Sequence, residues 1–507
     1  MSEVSLTVKE ATAKLLHVVR EGSKHLPGSP TTQALTVGAV VGALTYLLLK
    51  KRYRLPPGPF PLPILGNVLV FWEKDPFYMT LLKWSREKYG PIITVYFGPR
   101  RCVTLNSIDV VQEALVKRGA DFAGRPCSFS MDVFSGNGED IAGATYSPQW
   151  KMVRKVGSQA IRSFMTGSRL EVAVQDMVSL AIDKMAAENG LLTLISSCHL
   201  WREFDDPELL QTMQIFDTSN ELVGNGLLED TVAFLPVAVT SRARQLKTEF
   251  GKFMDFINYN VDDHRKTLSN DKVRDMTDAV LLAQKSVEEK DPEKMAMFTD
   301  ANAKLIVTDL FGAGVDTTRM TLEWGLYLMA SFPEVQRKAQ EEIDDVTGDR
   351  MPQLADYGKL PYTEAVMYEI MRVGTVIPFG LPHETICDTT VGGFDVPKGT
   401  MIFINHWALH NDPDHWDKPE EFRPERFLDD QGKMAPKPDS WLPFSTGRRV
   451  CLGEAIAKPE ILLVLACILK RLNISLPAGD KFDPRPAYNS TIVCTPKPYR
   501  IIVTKRA

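Results

Sequence analysis

The sequence has few cysteines, no excess of basic residues and no low-complexity tract. Its seven cysteines are odd in number and form no C-x-x-C pair, which argues against a disulfide framework or a zinc cluster and favours a reducing compartment. With 59 basic and 64 acidic side chains, the net charge is −5, so the composition does not indicate nucleic-acid binding. The 44% hydrophobic and 24% charged residues are typical of globular proteins. The 507 residues allow several domains or one large fold.

One uncharged run stands out near the N-terminus. Residues 31–49 carry no charge and would span about 28 Å as a helix, close to the hydrocarbon thickness of a bilayer. Four of the five residues at 50–54 are basic, which places that side in the cytosol. The sequence therefore predicts a lumenal extension at 1–30, a transmembrane anchor at 31–49, and a basic stop with a proline-rich hinge at 50–63. A signal peptide or a buried soluble helix is the alternative.

The remainder, residues 64–507, is predicted to be one mainly helical domain with small β-sheets. Helical periodicity is clearest at 108–117, 334–346 and 362–372. Short β-like runs occur at 92–97, 391–394, 401–404 and 500–503.

The segment 299–332 is predicted to be an unusually long helix, about 50 Å at 1.5 Å per residue. Small residues, Ala313 and Gly314, lie in its middle and would let a flat ligand approach, while Asp316 and Thr317 offer proton-carrying groups. The residues that share this face by their i, i+3, i+4 spacing are Asp309, Ala313, Asp316, Thr317 and Met320. The alternative is a locally weak helix with a glycine at a packing position.

Near the C-terminus, Phe444, Gly447, Arg449, Cys451 and Gly453 form the pattern F-x-x-G-x-R-x-C-x-G. At average composition this pattern would occur by chance in roughly one chain in ten thousand. A lone cysteine before a helix is usually a packing residue, but here the glycines allow a tight turn. The arginine and the N-terminus of the following helix favour a thiolate. A thiolate on such a loop can serve as an axial ligand of haem iron.

This pattern resembles the cytochrome P450 family of haem-thiolate monooxygenases, and the resemblance extends over nearly the whole chain. It implies the cytochrome P450 fold and haem b held by the thiolate of Cys451. Glu369 and Arg372 match the family's E-x-x-R pair, and Arg426 is expected to complete a buried structural triad. Alone, an E-x-x-R sequence is common on solvated helices.

The resemblance also implies a set of haem contacts. Trp150 and Arg154 match the family's W-x-x-x-R, while Arg125 and His383 match positions that bind the haem propionates in some animal members. Each of these cations, taken singly, is more simply interpreted as a surface charge. The residues expected to contact the haem are Cys451, Arg125, Trp150, Arg154, His383, Arg449, Phe444 and Gly453.

The implied reaction inserts one atom of dioxygen into a C–H bond of a lipophilic molecule, with Thr317 and Asp316 expected to supply protons. Since no nucleotide-binding glycine fingerprint follows a credible strand, electrons are expected from outside. They would come from NADPH through NADPH–cytochrome P450 reductase, with cytochrome b5 as a second candidate partner. The expected location is the endoplasmic reticulum membrane, in contact with lipid, with the catalytic domain in the cytosol.

The motifs around Arg125 and Thr317 look most like those of steroid 17α-hydroxylase/17,20-lyase and its xenobiotic-oxidising relatives. A steroid is therefore the favoured substrate, with Asn220 and Ala313 as candidate contacts. A xenobiotic- or fatty-acid-oxidising member of the same family is the first alternative. A non-catalytic haem-binding sensor is the alternative from a different class.

Overall fold

The computed structural model describes residues 53–62, 65–68, 75–165, 240–270, 273–484 and 493–506, with isolated positions between 171 and 230. The predicted extension at 1–30, the anchor at 31–49 and Asn220 lie outside the described residues. The chain divides into two compact units, Met1–Arg54 and Leu55–Ala507. The helices and strands described below all belong to the second unit.

Helices make up most of this unit, as predicted. They are α1 (Phe77–Trp84), α2 (Ile108–Gln112), α3 (Phe129–Phe134), α4 (Pro148–Met165), α5 (Ser241–Lys266), α6 (Met276–Lys290), α7 (Pro292–Met295), α8 (Asp300–Ser331), α9 (Pro333–Thr347), α10 (Pro361–Gly374), α11 (His406–His410) and α12 (Glu454–Arg471). Single π-helical turns extend α1 over Ser85–Tyr89 and α2 over Glu113–Lys117, and short 3₁₀ turns occur at Leu354–Asp356, Pro424–Phe427 and Gly447–Arg449.

None of the helices in the described part of the chain combines the length and the apolar character needed to cross a bilayer.

The long central helix is confirmed as α8. Thr299 caps its start: the Thr299 hydroxyl accepts from the Asn302 N–H (3.2 Å), and the Asn302 side-chain oxygen accepts from the Thr299 N–H (2.7 Å). The helix ends before Phe332, because Pro333 cannot continue it and begins α9 instead. Apolar residues are buried along most of its length, so α8 passes through the core, where it packs against α6, α10 and α12.

The small sheets are β1 (Ile92–Phe97), β2 (Arg100–Leu105), β3 (His383–Glu384), β4 (Thr389–Val391), β5 (Phe394–Val396), β6 (Met401–Ile404), β7 (Leu472–Ser475) and β8 (Ile502–Lys505). The largest has the order β1-β2-β6-β3, with β2 and β6 parallel and the other pairs antiparallel. Strands β4–β5 and β7–β8 form two antiparallel pairs.

Two of the four predicted strand runs need correction. The run 391–394 is a turn between two strands, because Gly392 and Gly393 adopt φ values of +56° and +77°, which L side chains rarely adopt. The run 500–503 begins two residues too early, since β8 is Ile502–Lys505 and its register is set by pairing with β7. The runs at 92–97 and 401–404 coincide with β1 and β6.

The proline-rich segment lies against the edge of the largest sheet. Thr94 on β1 donates its N–H to the Pro57 carbonyl and its hydroxyl to the Pro56 carbonyl, both at 2.8 Å. A Cβ at Gly58 would overlap the Thr94 carbonyl oxygen. Glycine at this position therefore allows the two backbones to approach.

Candidate active site

A cavity lies between the middle of α8 and the loop that precedes α12. The volume open to the centres of water molecules is about 220 Å³. Apolar side chains make up much of the wall, among them Ile161, Val307, Leu310, Phe311 and Leu381. The polar wall carries a thiol, Cys451, and three guanidinium groups, Arg125, Arg154 and Arg449.

The backbone of the cysteine loop explains the spacing of its motif. The Cys451 N–H donates to the Phe444 carbonyl at 2.9 Å and closes the loop. Within it, Ser445 and Gly447 adopt positive φ values of 59° and 76°. A Cβ at residue 447 would also overlap the Leu115 carbonyl oxygen. The first glycine of the motif is thus required by both the backbone conformation and the lack of space.

Arg449 connects this loop to the segments on either side of α3. Its guanidinium donates to the carbonyls of Ala123 (2.9 Å), Ile141 (3.2 Å) and Ala144 (2.6 Å). It also lies over the Trp150 ring, 4.0 Å from the centroid. The arginine of the motif therefore fixes the loop against a distant segment while it lines the cavity.

Three cations converge on the cavity, and two of them, Arg125 and Arg449, are buried. Arg125 donates to the carbonyls of Ala142 (2.8 Å) and Pro382 (2.9 Å), and Arg154 donates to the Val450 carbonyl (2.6 Å). Burial and the other two guanidinium groups lower the pKa of Arg449 to about 8, and burial lowers the pKa of Arg125 to about 10. Concentrated positive charge in a poorly hydrated wall favours an anionic ligand.

Cys451 is accessible because its side chain faces the cavity; protein atoms surround it elsewhere. Burial raises the pKa of its thiol, opposed by the backbone N–H groups of Gly453 and Glu454 at the start of α12 and by Arg154. The N-terminus of α12 thus favours the thiolate, as the sequence predicted. The predicted contribution of Arg449 is not seen, because its guanidinium donates to backbone carbonyls instead. Coordination of a metal ion deprotonates a thiol outright, so the loop suits a metal-bound cysteine better than a free thiolate.

The middle of α8 divides its candidate residues between two sides. Ala313 and Thr317 line the cavity, and the Thr317 hydroxyl donates to the Ala313 carbonyl at 2.7 Å. Asp316 is buried and is not among the described residues that line the cavity. Its carboxylate lies 3.5 Å from the Arg319 guanidinium, which also lies 3.2 Å from the Glu323 carboxylate. The predicted hydroxyl faces the cavity directly, while the predicted carboxylate belongs to an ion-pair chain behind it.

Two further residues predicted to contact the haem, Trp150 and His383, lie behind the described residues that line the cavity. The Trp150 indole donates to the Ile141 carbonyl at 2.9 Å and supports the guanidinium groups of Arg449 and Arg154. His383, on β3, is buried with Nδ1 2.8 Å from the Phe122 carbonyl. Burial and Arg125 lower the pKa of His383 well below its ordinary value, so it is neutral. Phe444 and Gly453, by contrast, line the cavity beside Cys451.

Glu369, Arg372 and Arg426 are in contact, away from the cavity. The Arg372 guanidinium forms a bidentate pair with Glu369, with both distances 2.7 Å, and Arg426 Nε donates to the same carboxylate at 3.0 Å. All three side chains are buried. Arg372 also donates to the carbonyls of His410 and Pro419, so the triad connects α10 to the segments that precede the cysteine loop.

The sequence motifs did not reveal a pair of carboxyl groups at the cavity, of which Asp309 lines the wall and Asp140 lies behind it. Asp140 accepts from the N–H groups of Gly143 (2.9 Å) and Ala144 (2.7 Å), and Asp309 accepts from the Ile141 N–H at 2.7 Å. Burial and the nearby Asp140 raise the pKa of Asp309 well above its ordinary value, so Asp309 holds a proton. In the sequence, the position of Asp309 on the same helical face as Ala313 could have indicated that its carboxyl group faces the cavity. Asp140 belongs to no motif, so nothing in the sequence pointed to it.

The donor set fits haem b. A thiol on one wall can ligate the iron, and guanidinium groups can pair with the two propionate carboxylates. The apolar remainder of the wall suits the porphyrin ring and an apolar substrate. Small residues, Ala313 on α8 and Gly453 beside Cys451, leave space on both sides of the cavity.

These features define a haem-thiolate enzyme, and the chain belongs to the cytochrome P450 family, whose model matches residues 56–503. It is 36% identical to rat cytochrome P450 2D3 over 93% of this chain and 98% of that protein, and 32% identical to rat cytochrome P450 1A1 over 90% and 91%. A solved zebrafish cytochrome P450 with progesterone superposes with a TM-score of 0.75 and 31% identity, covering 85% of this chain and all of that one.

The predicted family, mainly helical fold and enzyme class are thereby confirmed. The chain is a cytochrome P450 monooxygenase that uses haem with thiolate ligation and electrons from NADPH through a reductase. The individual residue roles stay predictions.

Proposed function

We propose that this chain inserts one oxygen atom into a lipophilic small molecule, with Cys451 as the axial ligand of the haem iron. The observation that carries the proposal is the convergence of the Cys451 thiol with Arg125, Arg154 and Arg449 on one cavity. Arg125 and Arg154 lie far from Arg449 and Cys451 in the sequence, yet their guanidinium groups line the same cavity as the thiol.

The residues around the cavity have distinct proposed roles. Haem, when bound, supplies dioxygen activation and C–H oxidation. Arg125, Arg154 and Arg449 would neutralise the propionates, while the neutral His383 and Trp150 hold the surrounding backbone. Thr317 holds a proton at its hydroxyl, which can turn from the Ala313 carbonyl towards the cavity.

Asp316 would replenish the Thr317 proton from the other side of α8, while its ion pair with Arg319, which also pairs with Glu323, would hold the carboxylate in place. The apolar wall formed by Val307, Leu310 and Phe311 would exclude water. Protons would therefore arrive through Thr317 and Asp316.

A steroid is the proposed substrate class, oxidised as in a 17α-hydroxylase. The support is the resemblance of the Arg125 and Thr317 motifs to steroid hydroxylases and the likeness to a zebrafish structure with progesterone. Ala313 lines the cavity and is a proposed contact, together with Asn220. The chain is also similar to the rat cytochromes P450 2D3 and 1A1, whose names indicate no steroid. Oxidation of xenobiotics or fatty acids by a member of the same family is the competing proposal.

The proposed setting is the endoplasmic reticulum membrane, with an extension at 1–30, an anchor at 31–49, a hinge at 50–63 and a cytosolic catalytic domain from residue 64. NADPH–cytochrome P450 reductase is the proposed electron donor, with cytochrome b5 as a second partner. The support is the charge pattern of the N-terminal segment and the family's need for external electrons.

The ligand assignment is tested by replacing cysteines in the full-length protein. Cys451→Ala should abolish the thiolate-type absorption band of the reduced, carbon-monoxide-bound protein. Cys127→Ala, at an exposed cysteine that does not line the cavity, is the matched control and should retain the band. If the band survives in Cys451→Ala, the assignment is wrong.

The substrate class is tested by optical titration and turnover. Pregnane and androstane steroids should shift the haem absorption spectrum and yield hydroxylated products with reductase and NADPH. No spectral shift with any of these steroids counts against the steroid proposal. An unbiased metabolite screen with the reconstituted enzyme would then identify the alternative substrate.

A further inference from the structure

A short helix, α11, connects the buried triad to the cysteine loop. His410, at its C-terminal end, is fully buried. Its ring nitrogen Nε2 accepts from the Leu442 N–H at 3.1 Å, and its Nδ1 lies 2.8 Å from the Thr375 hydroxyl. Leu442 is two residues before Phe444, whose carbonyl closes the cysteine loop.

The direction of these hydrogen bonds follows from the donors. Because a backbone N–H can only donate, Nε2 of His410 must carry the lone pair, and Nδ1 therefore carries the hydrogen. Nδ1–H then donates to the Thr375 hydroxyl, which donates in turn to the Arg372 carbonyl at 2.6 Å. A directed chain thus runs from Leu442 through His410 and Thr375 to Arg372.

The ring of His410 must be neutral to complete this chain, since a doubly protonated ring has no acceptor. Burial, His406 and Arg372 lower the pKa of His410 well below its ordinary value. The backbone of His410 is held as well, because Arg372 Nη1 donates to its carbonyl at 2.9 Å. Both the ring and the main chain of His410 are therefore fixed by the E-x-x-R turn of α10.

Leu442 in turn leads directly into the cysteine loop. The Ser445 N–H donates to the Leu442 carbonyl at 3.1 Å, and the Cys451 N–H donates to the Phe444 carbonyl at 2.9 Å. The Leu442 N–H is thus held by His410, while the Leu442 carbonyl accepts from the first turn of the cysteine loop.

We propose that His410 is a positioning residue, which holds the start of the cysteine loop through Leu442 and so keeps Cys451 in the geometry needed for thiolate ligation. The inference rests on the proposed function, in which Cys451 is the axial ligand. In addition to the buried triad, the E-x-x-R turn would thus act on Cys451 through the hydrogen bonds that connect Arg372 to Leu442.

Two substitutions separate the acceptor from the other properties of the ring. His410→Gln places an oxygen near the position of Nε2 and retains an acceptor for Leu442. His410→Asn reaches only the position of Nδ1, so it retains the contact with Thr375 and loses the acceptor. His415→Asn, at an exposed histidine on the following turn, is the matched control.

The measurement is the rate at which the haem-loaded protein loses its thiolate-type band in the reduced, carbon-monoxide-bound state. His410→Asn should lose the band about tenfold faster than wild type, as expected for one unsatisfied donor. His410→Gln and His415→Asn should lose it at nearly the wild-type rate. Far-UV circular dichroism recorded in parallel should show that the helices persist while the band disappears.

Equal rates for His410→Asn and His410→Gln, or band loss that coincides with loss of helix, would overturn the proposal. If His410→Asn does not accumulate as folded protein, Thr375→Val provides the second test. It leaves the ring in place and removes the oxygen that fixes its tautomer, so the band should again be lost faster, and an unchanged rate overturns the proposal. A wild-type protein without the band would overturn the proposed function itself.

Discussion

At the scale of single residues, the cysteine loop depends on residues that hold its backbone in place as well as on the cysteine itself. Gly447 has no room for a Cβ against the Leu115 carbonyl, and Arg449 has its guanidinium shared among three carbonyls. Both residues hold the loop against parts of the chain that are remote in sequence. Substitutions at these positions should therefore affect the site through its backbone.

Gly447→Ala should destabilise the loop by about 1–3 kcal/mol through strain alone, with a further cost from the overlap with Leu115. Gly432→Ala is the matched control: its φ is also positive, +74°, but a Cβ there would meet no atom within 4 Å. Haem content per protein and the thermal midpoint should fall more in Gly447→Ala. Equal losses in the two variants would show that the overlap with Leu115 is unimportant.

Arg449→Lys should weaken haem retention by about tenfold or more, because an ammonium group cannot replace a planar fork that donates to three carbonyls. Arg448→Lys is the neighbouring control, since the exposed Arg448 donates to the Tyr146 hydroxyl at 2.8 Å and not to the backbone of the described residues. Haem content after dilution or gel filtration reports the difference. Similar retention in both lysine variants would contradict the role given to Arg449.

At the scale of elements, the start of α6 carries a buried charge network behind the cavity. Met276 and Thr277 line the cavity, and Asp275 caps the helix by accepting from the N–H groups of Thr277 (2.8 Å) and Asp278 (3.1 Å). His264 on α5 lies 2.8 Å from Asp278 and 3.5 Å from Asp275. This network connects α5 to the part of α6 that faces the cavity.

Burial raises the pKa of Asp275 in the folded state to about 6. Between about pH 4 and pH 6 the folded state therefore binds more protons than the unfolded state. The free energy of unfolding should therefore fall as the pH rises through this window, by about 3 kcal/mol from this group alone. Asp275→Asn keeps a capping oxygen and a neutral side chain, so it should become more stable relative to wild type as the pH rises from 4.5 to 7.

Chemical unfolding of both proteins across this pH range measures the effect. Asp255→Asn, at an exposed position on α5, is the control and should parallel the wild-type profile. If the difference between Asp275→Asn and wild type does not change with pH, the carboxyl group of Asp275 titrates normally.

At the scale of the whole molecule, the buried triad joins segments that are distant from the cavity. Glu369 balances two buried guanidinium groups, Arg372 and Arg426, and also accepts from the Arg423 N–H at 2.9 Å. Arg372 then reaches three carbonyls of the segment that leads towards the cysteine loop. The triad therefore stabilises the arrangement of α10, α11 and the loop as one body.

Glu369→Gln should lower the free energy of unfolding by about 3–5 kcal/mol, because two guanidinium groups remain buried without their anion. Glu334→Gln, which removes a carboxylate from an exposed pair with Arg337, should have no measurable effect. Urea unfolding followed by circular dichroism compares the two. A small effect of Glu369→Gln would show that the backbone contacts of Arg372 suffice.

The parts of the fold that sequence reading predicted well depend on neighbouring residues. The long helix follows from its apolar pattern, from Thr299 at its cap and from Pro333 beyond its end. The strand prediction at 391–394 was wrong because it followed the flanking apolar residues, although the pair Gly392 and Gly393 is typical of a hairpin turn and adopts positive φ values. The arrangement of β2 beside β6 required contacts between residues about 300 positions apart.

For the candidate site, the sequence by itself determined the family and the candidate ligand, because the residues around Cys451 are contiguous and serve one backbone turn. Only the tertiary structure placed Thr317 on the cavity side of α8 and Asp316 behind it, and only it brought the carboxyl groups of Asp140 and Asp309 together. The physical reason is that burial, charge and hydrogen bonding at a cavity depend on which helices, strands and loops contact each other there. A local sequence pattern does not specify those contacts.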